Sequence, residues 1–145
     1  MGGTNGADAK CQSAASTAGL SGRYIALVSS GNTGALSRVT SNGPFYSVTE
    51  DMAYATKSDF LTTSFSNVTD ELGNVPNDGI TVWSGSDTSG NASMHDCLSW
   101  TSVSSGDSAT LGSDDSTNLN ATNGWAAGET TGTCDQAHAL FCVEQ

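Results

Sequence analysis

The residues of this chain best suited to chemistry are two histidines and four cysteines. His95 and Asp96 stand directly before Cys97, and His138 stands close before Cys142. A thiol beside an imidazole can serve as an activated nucleophile. A plainer reading competes with this one. Cys11, Cys97, Cys134 and Cys142 form an even set without a CxxC pair, which reads as two disulfides rather than as a zinc site or a redox motif. Sulfur held in a disulfide attacks nothing. His138 falls in phase with Leu140 and Cys142, which packs it near a disulfide. No Gly-x-Ser-x-Gly elbow, His-Glu-x-x-His pair or phosphate loop occurs. No catalytic residue is assigned, and the chain reads as a non-enzyme without metal or cofactor.

Recognition is the other chemistry on offer. Residues 103–133 are rich in Ser, Gly, Asp, Asn and Thr, with Leu111, Leu119 and Trp125 as their large apolar groups. A loop of that length inside a compact domain is usually functional. Trp125 is the candidate ligand anchor, and Asp114, Asp115, Asn118, Asn120 and Asn123 are candidate polar contacts. Against this, Trp125 can fold back over the core, and Asp114-Asp115 can simply be solvated.

Composition narrows the partners. Fifteen acidic residues against four basic ones (Lys10, Arg23, Arg38 and Lys57) give a formal charge of −11. Scattered cations cannot replace counterions on a phosphate backbone, so nucleic acid is excluded, as are heparin-like polyanions and anionic membrane surfaces. Charged residues are only 13% of the chain, about half of the usual share of roughly 25%. Ser, Thr, Asn and Gly fill nearly half of the positions instead, so hydroxyl and amide groups make the solubilising layer. Aromatic residues spread along the whole length argue for a folded core. No apolar run is long enough to span a membrane, and no signal segment opens the sequence. Disulfides require an oxidising compartment. The chain is therefore expected to be a single domain, 1–145, taken from the C-terminus of a longer exported protein.

The elements that position these residues follow from pattern. Residues 5–18 predict a helix with Asn5 as N-cap, Asp8 in its first turn and Gly19 at its C-terminal end. Residues 24–30 read as a buried strand, followed by a turn at 31–34. A turn at 41–44 leads to a short strand at 45–48. Thr56 or Ser58 caps a second short helix carrying Phe60, Leu61 and Phe65. After a loop at 73–79, residues 79–85 alternate as a strand, and 98–102 and 137–144 read as two more. No internal repeat is evident.

In order along the chain, Gly6-Ala7-Asp8-Ala9-Lys10-Cys11, Gly19-Leu20-Ser21-Gly22-Arg23-Tyr24-Ile25-Ala26 and Val82-Trp83-Ser84-Gly85-Ser86 are followed by Cys97-Leu98-Ser99-Trp100 and by Cys134 with His138-Ala139-Leu140-Phe141-Cys142-Val143-Glu144. Together they resemble endostatin, the C-terminal domain of certain collagens, and more closely the bacterial endostatin-like domains of exported surface proteins. The resemblance covers essentially the whole chain. It implies an α+β, C-type-lectin-like fold: two helices beside a twisted antiparallel sheet, long loops, and nested disulfides Cys11–Cys142 and Cys97–Cys134. It also implies that Trp83 and Trp100 are core. The family's N-terminal zinc histidines and its arginine patch have no counterpart here. Val75-Pro76-Asn77 lacks the first oxygen ligand of the calcium-lectin tripeptide, so no metal site carries over.

A surface of hydroxyls, amides and a few aromatic rings suits neutral sugars or a polar protein epitope. The expected function is extracellular recognition or adhesion at the cell surface, binding a glycan or a surface protein of another cell or host, with a fibre tip as one setting. The alternative is a structural cap that joins chains, for instance as a homotrimer.

Overall fold

The computed structural model describes residues 1–65, 68–76, 79–113, 124–126 and 130–145. Helix α1 (Gly3–Thr17) buries Ala7, Cys11 and Ala15, one narrow stripe at four-residue spacing. Small side chains let it lie close against strand β1 (Tyr24–Ala26). The expected Asn5 cap is not used. The helix begins after Gly2, with no side-chain cap. Its far end closes as anticipated: Gly19 adopts φ 77°, its N–H reaches the Ser16 carbonyl, and the Leu20 N–H reaches Ala15. That double bond is a Schellman cap, which glycine permits without strain.

Asp8 serves elsewhere. Its carboxylate accepts both a 2.7 Å pair from the Arg38 guanidinium and the Ala26 N–H at 3.0 Å. Arg38, at the end of α2 (Ala35–Arg38), also donates to the Ala26 carbonyl at 2.8 Å and the Val28 carbonyl at 3.2 Å. One side chain thus ties α1 to the chain leaving β1.

The strands form three small antiparallel sheets. In one, β2 (Phe45–Tyr46) pairs with β3 (Met52–Tyr54), after which comes a single helical turn, α3 (Asp59–Thr62). In the second, β4 (Thr81–Trp83) pairs with β5 (Ser108–Ser113), and β5 with β6 (Thr130–Thr133). In the third, β1 pairs with the closing strand β7 (Cys142–Glu144), with Tyr24 opposite Glu144 and Ile25 opposite Val143. The chain expected as one strand at 24–30 is laddered over its first three residues, with the Leu27 N–H still reaching the Phe141 carbonyl at 2.8 Å. Beyond them, the Ser29 N–H crosses to the Ser84 carbonyl at 2.8 Å and so joins the neighbouring sheet.

Two further expectations fail for identifiable reasons. The stretch 103–133 is not loop throughout, because β5 and β6 occupy its ends. Thr130-Thr131-Gly132-Thr133 has no apolar residue and no alternation to read. The run 98–102 is not a strand. Cys97, Leu98, Ser99 and Trp100 all have positive φ, between 51° and 66°, and form α4 (Cys97–Trp100), one left-handed turn. Such a backbone costs about 1–2 kcal/mol per L residue. Tertiary contacts hold it: Asp96 accepts the Ser99 and Gly31 N–H groups, Cys97 is bonded to Cys134, and the buried Trp100 indole donates to the Ser29 carbonyl at 2.8 Å.

Both disulfides join the pairs that the resemblance implies, Cys11–Cys142 and Cys97–Cys134. Such bonds belong to a non-cytoplasmic, oxidising setting. Among the described residues, no helix is long and apolar enough to cross a membrane. Two buried clusters make the core. One joins Ala7, Cys11, Val28, Trp83, Cys97, Trp100 and Cys134, and the other joins Ile25, Leu27, Phe45, Tyr54, Phe60, Trp125 and Val143.

Candidate functional site

The second cluster is open on one side, where a cleft of about 460 Å³ enters. That volume lies within the usual range of small-ligand sites. Three parts of the chain build it. The β2–β3 hairpin contributes Phe45, Tyr46 and Tyr54, the segment around α3 contributes Phe60 and Phe65, and the β1–β7 pair contributes Tyr24, Phe141 and Glu144. The rings brace one another. Phe45 meets Phe60 edge-on at 5.0 Å between centroids, and Tyr54 lies 4.1 Å from Phe60 and 6.1 Å from Phe65. Tyr46 stands at the mouth, 59% exposed.

The hairpin's tip explains the placement of Tyr46. Ser47 and Asp51 close a three-residue loop: the Ser47 N–H donates to Asp51 O at 2.8 Å, and the Glu50 N–H donates to Ser47 O at 3.0 Å. The Asp51 N–H also reaches the Ser47 hydroxyl at 3.2 Å, and the Ser47 and Thr49 hydroxyls lie 2.8 Å apart. Glu50 takes the left-handed position of this loop, with φ 68°.

The electrostatics are one-sided. Glu50 and Glu144 are the carboxylate side chains of the lining, and among the described residues no Lys, Arg or His lines it. Neither carboxylate accepts a hydrogen bond or pairs with a cation among the described residues. Burial, and then the facing Glu144 charge, raise the Tyr24 hydroxyl above its ordinary pKa of 10.0. Burial alone raises Tyr54 much further. Both phenols stay neutral at physiological pH. At the same wall, Gln145 Oε1 accepts the Thr40 N–H at 2.8 Å, which assigns the amide's orientation and leaves its buried Nε2 without a partner among the described residues.

Of the residues singled out from sequence for binding, Trp125 lies behind this cleft. It is 1% exposed, its indole donates to the Phe60 carbonyl at 3.0 Å, and it touches the cleft as part of its wall. The ring has folded back onto the core, the placement that competes with an anchoring role. Asp114, Asp115, Asn118, Asn120 and Asn123 lie outside the described residues.

The histidines are separated. His95 lies at the surface with Nδ1 3.1 Å from the Ser108 hydroxyl. His138 packs edge-on against Trp83 at 4.4 Å, with Nδ1 2.6 Å from Thr81 Oγ1 and Nε2 buried without a partner among the described residues. Its burial lowers its pKa from 6.5. No thiol is available to either, since all four cysteines are bonded. A second cleft of about 400 Å³ runs past Trp83, the Cys97–Cys134 bond and His138. Among the described residues, no group of His, Cys, Asp and Glu is placed to hold a metal ion.

The cleft's aromatic residues were visible in sequence only as core. The loop type at its rim has two counterparts elsewhere in the chain that sequence marks. Asp70-Glu71-Leu72-Gly73-Asn74 and Asp87-Thr88-Ser89-Gly90-Asn91 share the pattern Asp-x-x-Gly-Asn. Both close as the hairpin tip does, with Asp-to-Asn backbone pairs at 2.8 and 2.9 Å and Gly73 and Gly90 at positive φ. Ser47–Asp51 is a third copy in geometry, with Glu50 standing where its sisters have glycine. No protein-family model matches the chain, and a search of the curated proteins finds no match to it.

Proposed function

We propose that this is a non-enzymatic recognition domain of an exported protein, with a C-type-lectin-like scaffold, that binds a glycan in the aromatic cleft. The observation that supports the reading is the cleft itself: rings for the apolar faces of a pyranose, with Ser41, Ser47 and Thr69 in the lining as hydrogen-bonding groups. Sugar rings stack on aromatic faces and pair their hydroxyls at the edge, a chemistry that a surface rich in hydroxyl and amide groups can supply. The extracellular surface is the setting consistent with both disulfides. A glycan array probed with the parent chain and with Tyr46→Ala tests this. Tyr46 is exposed, so its removal spares the core. Selective array signals that Tyr46→Ala diminishes at least tenfold are expected. An array without signal, or signals untouched by the variant, would overturn the reading.

A structural cap remains the second reading, favoured by one observation. Tyr46, Met52, Leu72 and Val75 are exposed apolar side chains, and the loop carrying Gly73 lies against Val48 and Thr49 at the same hairpin. Light scattering distinguishes the two: a stable trimer that buries Tyr46 supports a cap, and a monomer supports recognition.

A further inference from the structure

We propose that the ligand group entering this cleft is an organic cation, an alkylammonium carrying apolar substituents. The inference deepens the recognition reading and rests on the same cleft. Aromatic faces attract ammonium ions through their quadrupoles, and the attraction grows when substituents make the cation poorly hydrated. Tyr24, Tyr46, Phe65 and Phe141 line the cleft and supply such rings. The charges complete the match. Among the described residues, Glu50 and Glu144 face the cleft without a cationic partner and the lining offers no cation of its own, while the whole molecule carries −11. An anionic ligand would meet repulsion from every charged side chain of the lining. A neutral ligand would leave both carboxylates unanswered.

Glu50 strengthens the case by comparison within the molecule. Three loops share one geometry, and two of them fill the left-handed position with Gly73 and Gly90. The third holds Glu50 there, where an L side chain is strained and glycine is not. Among the described residues, the carboxylate makes no hydrogen bond or ion pair that offsets this conformation. A ligand cation at the cleft mouth supplies one.

The test isolates charge at constant shape. Choline and 3,3-dimethylbutanol, its uncharged isostere, are titrated into the intact disulfide-bonded chain, with cleft resonances followed by NMR. Choline is expected to bind at least about tenfold more tightly than the isostere. Glucosamine and N-acetylglucosamine form a second pair, and a preference for glucosamine assigns the cation to a sugar, whereas choline selectivity alone assigns it to a quaternary group. Glu50→Gln combined with Glu144→Gln should remove most of the choline preference and leave isostere binding unchanged. Glu50→Gly should weaken choline binding while raising the melting temperature, a pairing that a merely structural Glu50 would not produce. Equal affinities for choline and its isostere, or a double variant that binds choline as the parent does, would overturn the proposal. A glycan array positive for neutral sugars alongside that failure leaves the recognition reading standing. Choline selectivity with a silent array upholds the cation site and overturns glycan binding.

Discussion

At the scale of single residues, the backbone and the imidazoles make the sharpest predictions. Leu98 sits at φ 53° with its side chain 65% exposed, so little packing offsets its strained conformation. Leu98→Gly should stabilise the chain by about 0.5–1 kcal/mol, the reverse of glycine's usual effect, because the relief at a left-handed position exceeds the added freedom of the unfolded chain. Chemical denaturation checks the sign. His138 gives a pH dependence. Its folded pKa is depressed, so between that value and 6.5 the unfolded chain binds the proton first. Its contribution is complete above 6.5 and is lost as pH falls through the lower, folded value. His138→Gln should flatten this part of the profile, read as the urea midpoint of variant against parent on either side of that window. An unchanged profile would show that His138 protonates alike in both states. Sequence reveals neither feature. The half-buried place of His138 against Trp83 does not follow from the expected phase with Leu140 and Cys142, since Cys142 is exposed and Val143 is the buried residue of β7. The left-handed turn was not legible either, since Leu98 and Trp100 alternate as a strand would, and what decides against it is a bond to Cys134 and a carbonyl at Ser29, both distant in sequence.

Among elements, the joint between α1, β1 and α2 depends on one ion pair. The Arg38 and Asp8 side chains are only 14% and 23% exposed, and Arg38 also satisfies two carbonyls. Arg38→Met keeps the aliphatic volume but strands the Asp8 charge and both carbonyls, and should destabilise by about 2–3 kcal/mol. Equilibrium unfolding measures the loss, and Asp8→Asn combined with Arg38→Met should recover part of it. A full loss in the double variant would place the effect elsewhere. Helix α1 was legible because small residues recur at four-residue spacing and a glycine ends it. Strand β6 was illegible because threonine and glycine alone carry no period. Gly132 nevertheless packs closely there, since a Cβ would lie 2.9 Å from His138 Nε2 and 3.1 Å from Leu111 Cδ1. The cleft was hidden for a different reason: Tyr24, Phe45, Phe60 and Phe141 converge only when β7 returns to pair with β1.

For the whole molecule, covalent reinforcement is uneven. Cys11, Cys97 and Cys134 all belong to the cluster around Trp83 and Trp100, while the aromatic cluster under the cleft contains no cysteine. Amide exchange should therefore be slowest around Trp100 and faster around Phe60, and a bound ligand should slow the latter selectively. Equal protection of both clusters would argue against this division. Cys11 and Cys142 are separated by 131 positions, so the bond between them closes nearly the whole chain into a ring. Suppose the two ends were pulled apart, as flow would pull a tethered surface domain. Tension reaching Cys11 would cross to Cys142 through a single sulfur bridge, leaving the chain enclosed between them unloaded. Only the segments outside that bridge would lengthen, by roughly 3.5 Å per residue, and they include the first turns of α1 with Ala7 and the β7 residues Val143 and Glu144. The cleft would lose Val143, Glu144 and Gln145 from its wall while Phe45, Tyr54 and Phe60 stayed slack, until a reductant released the full contour.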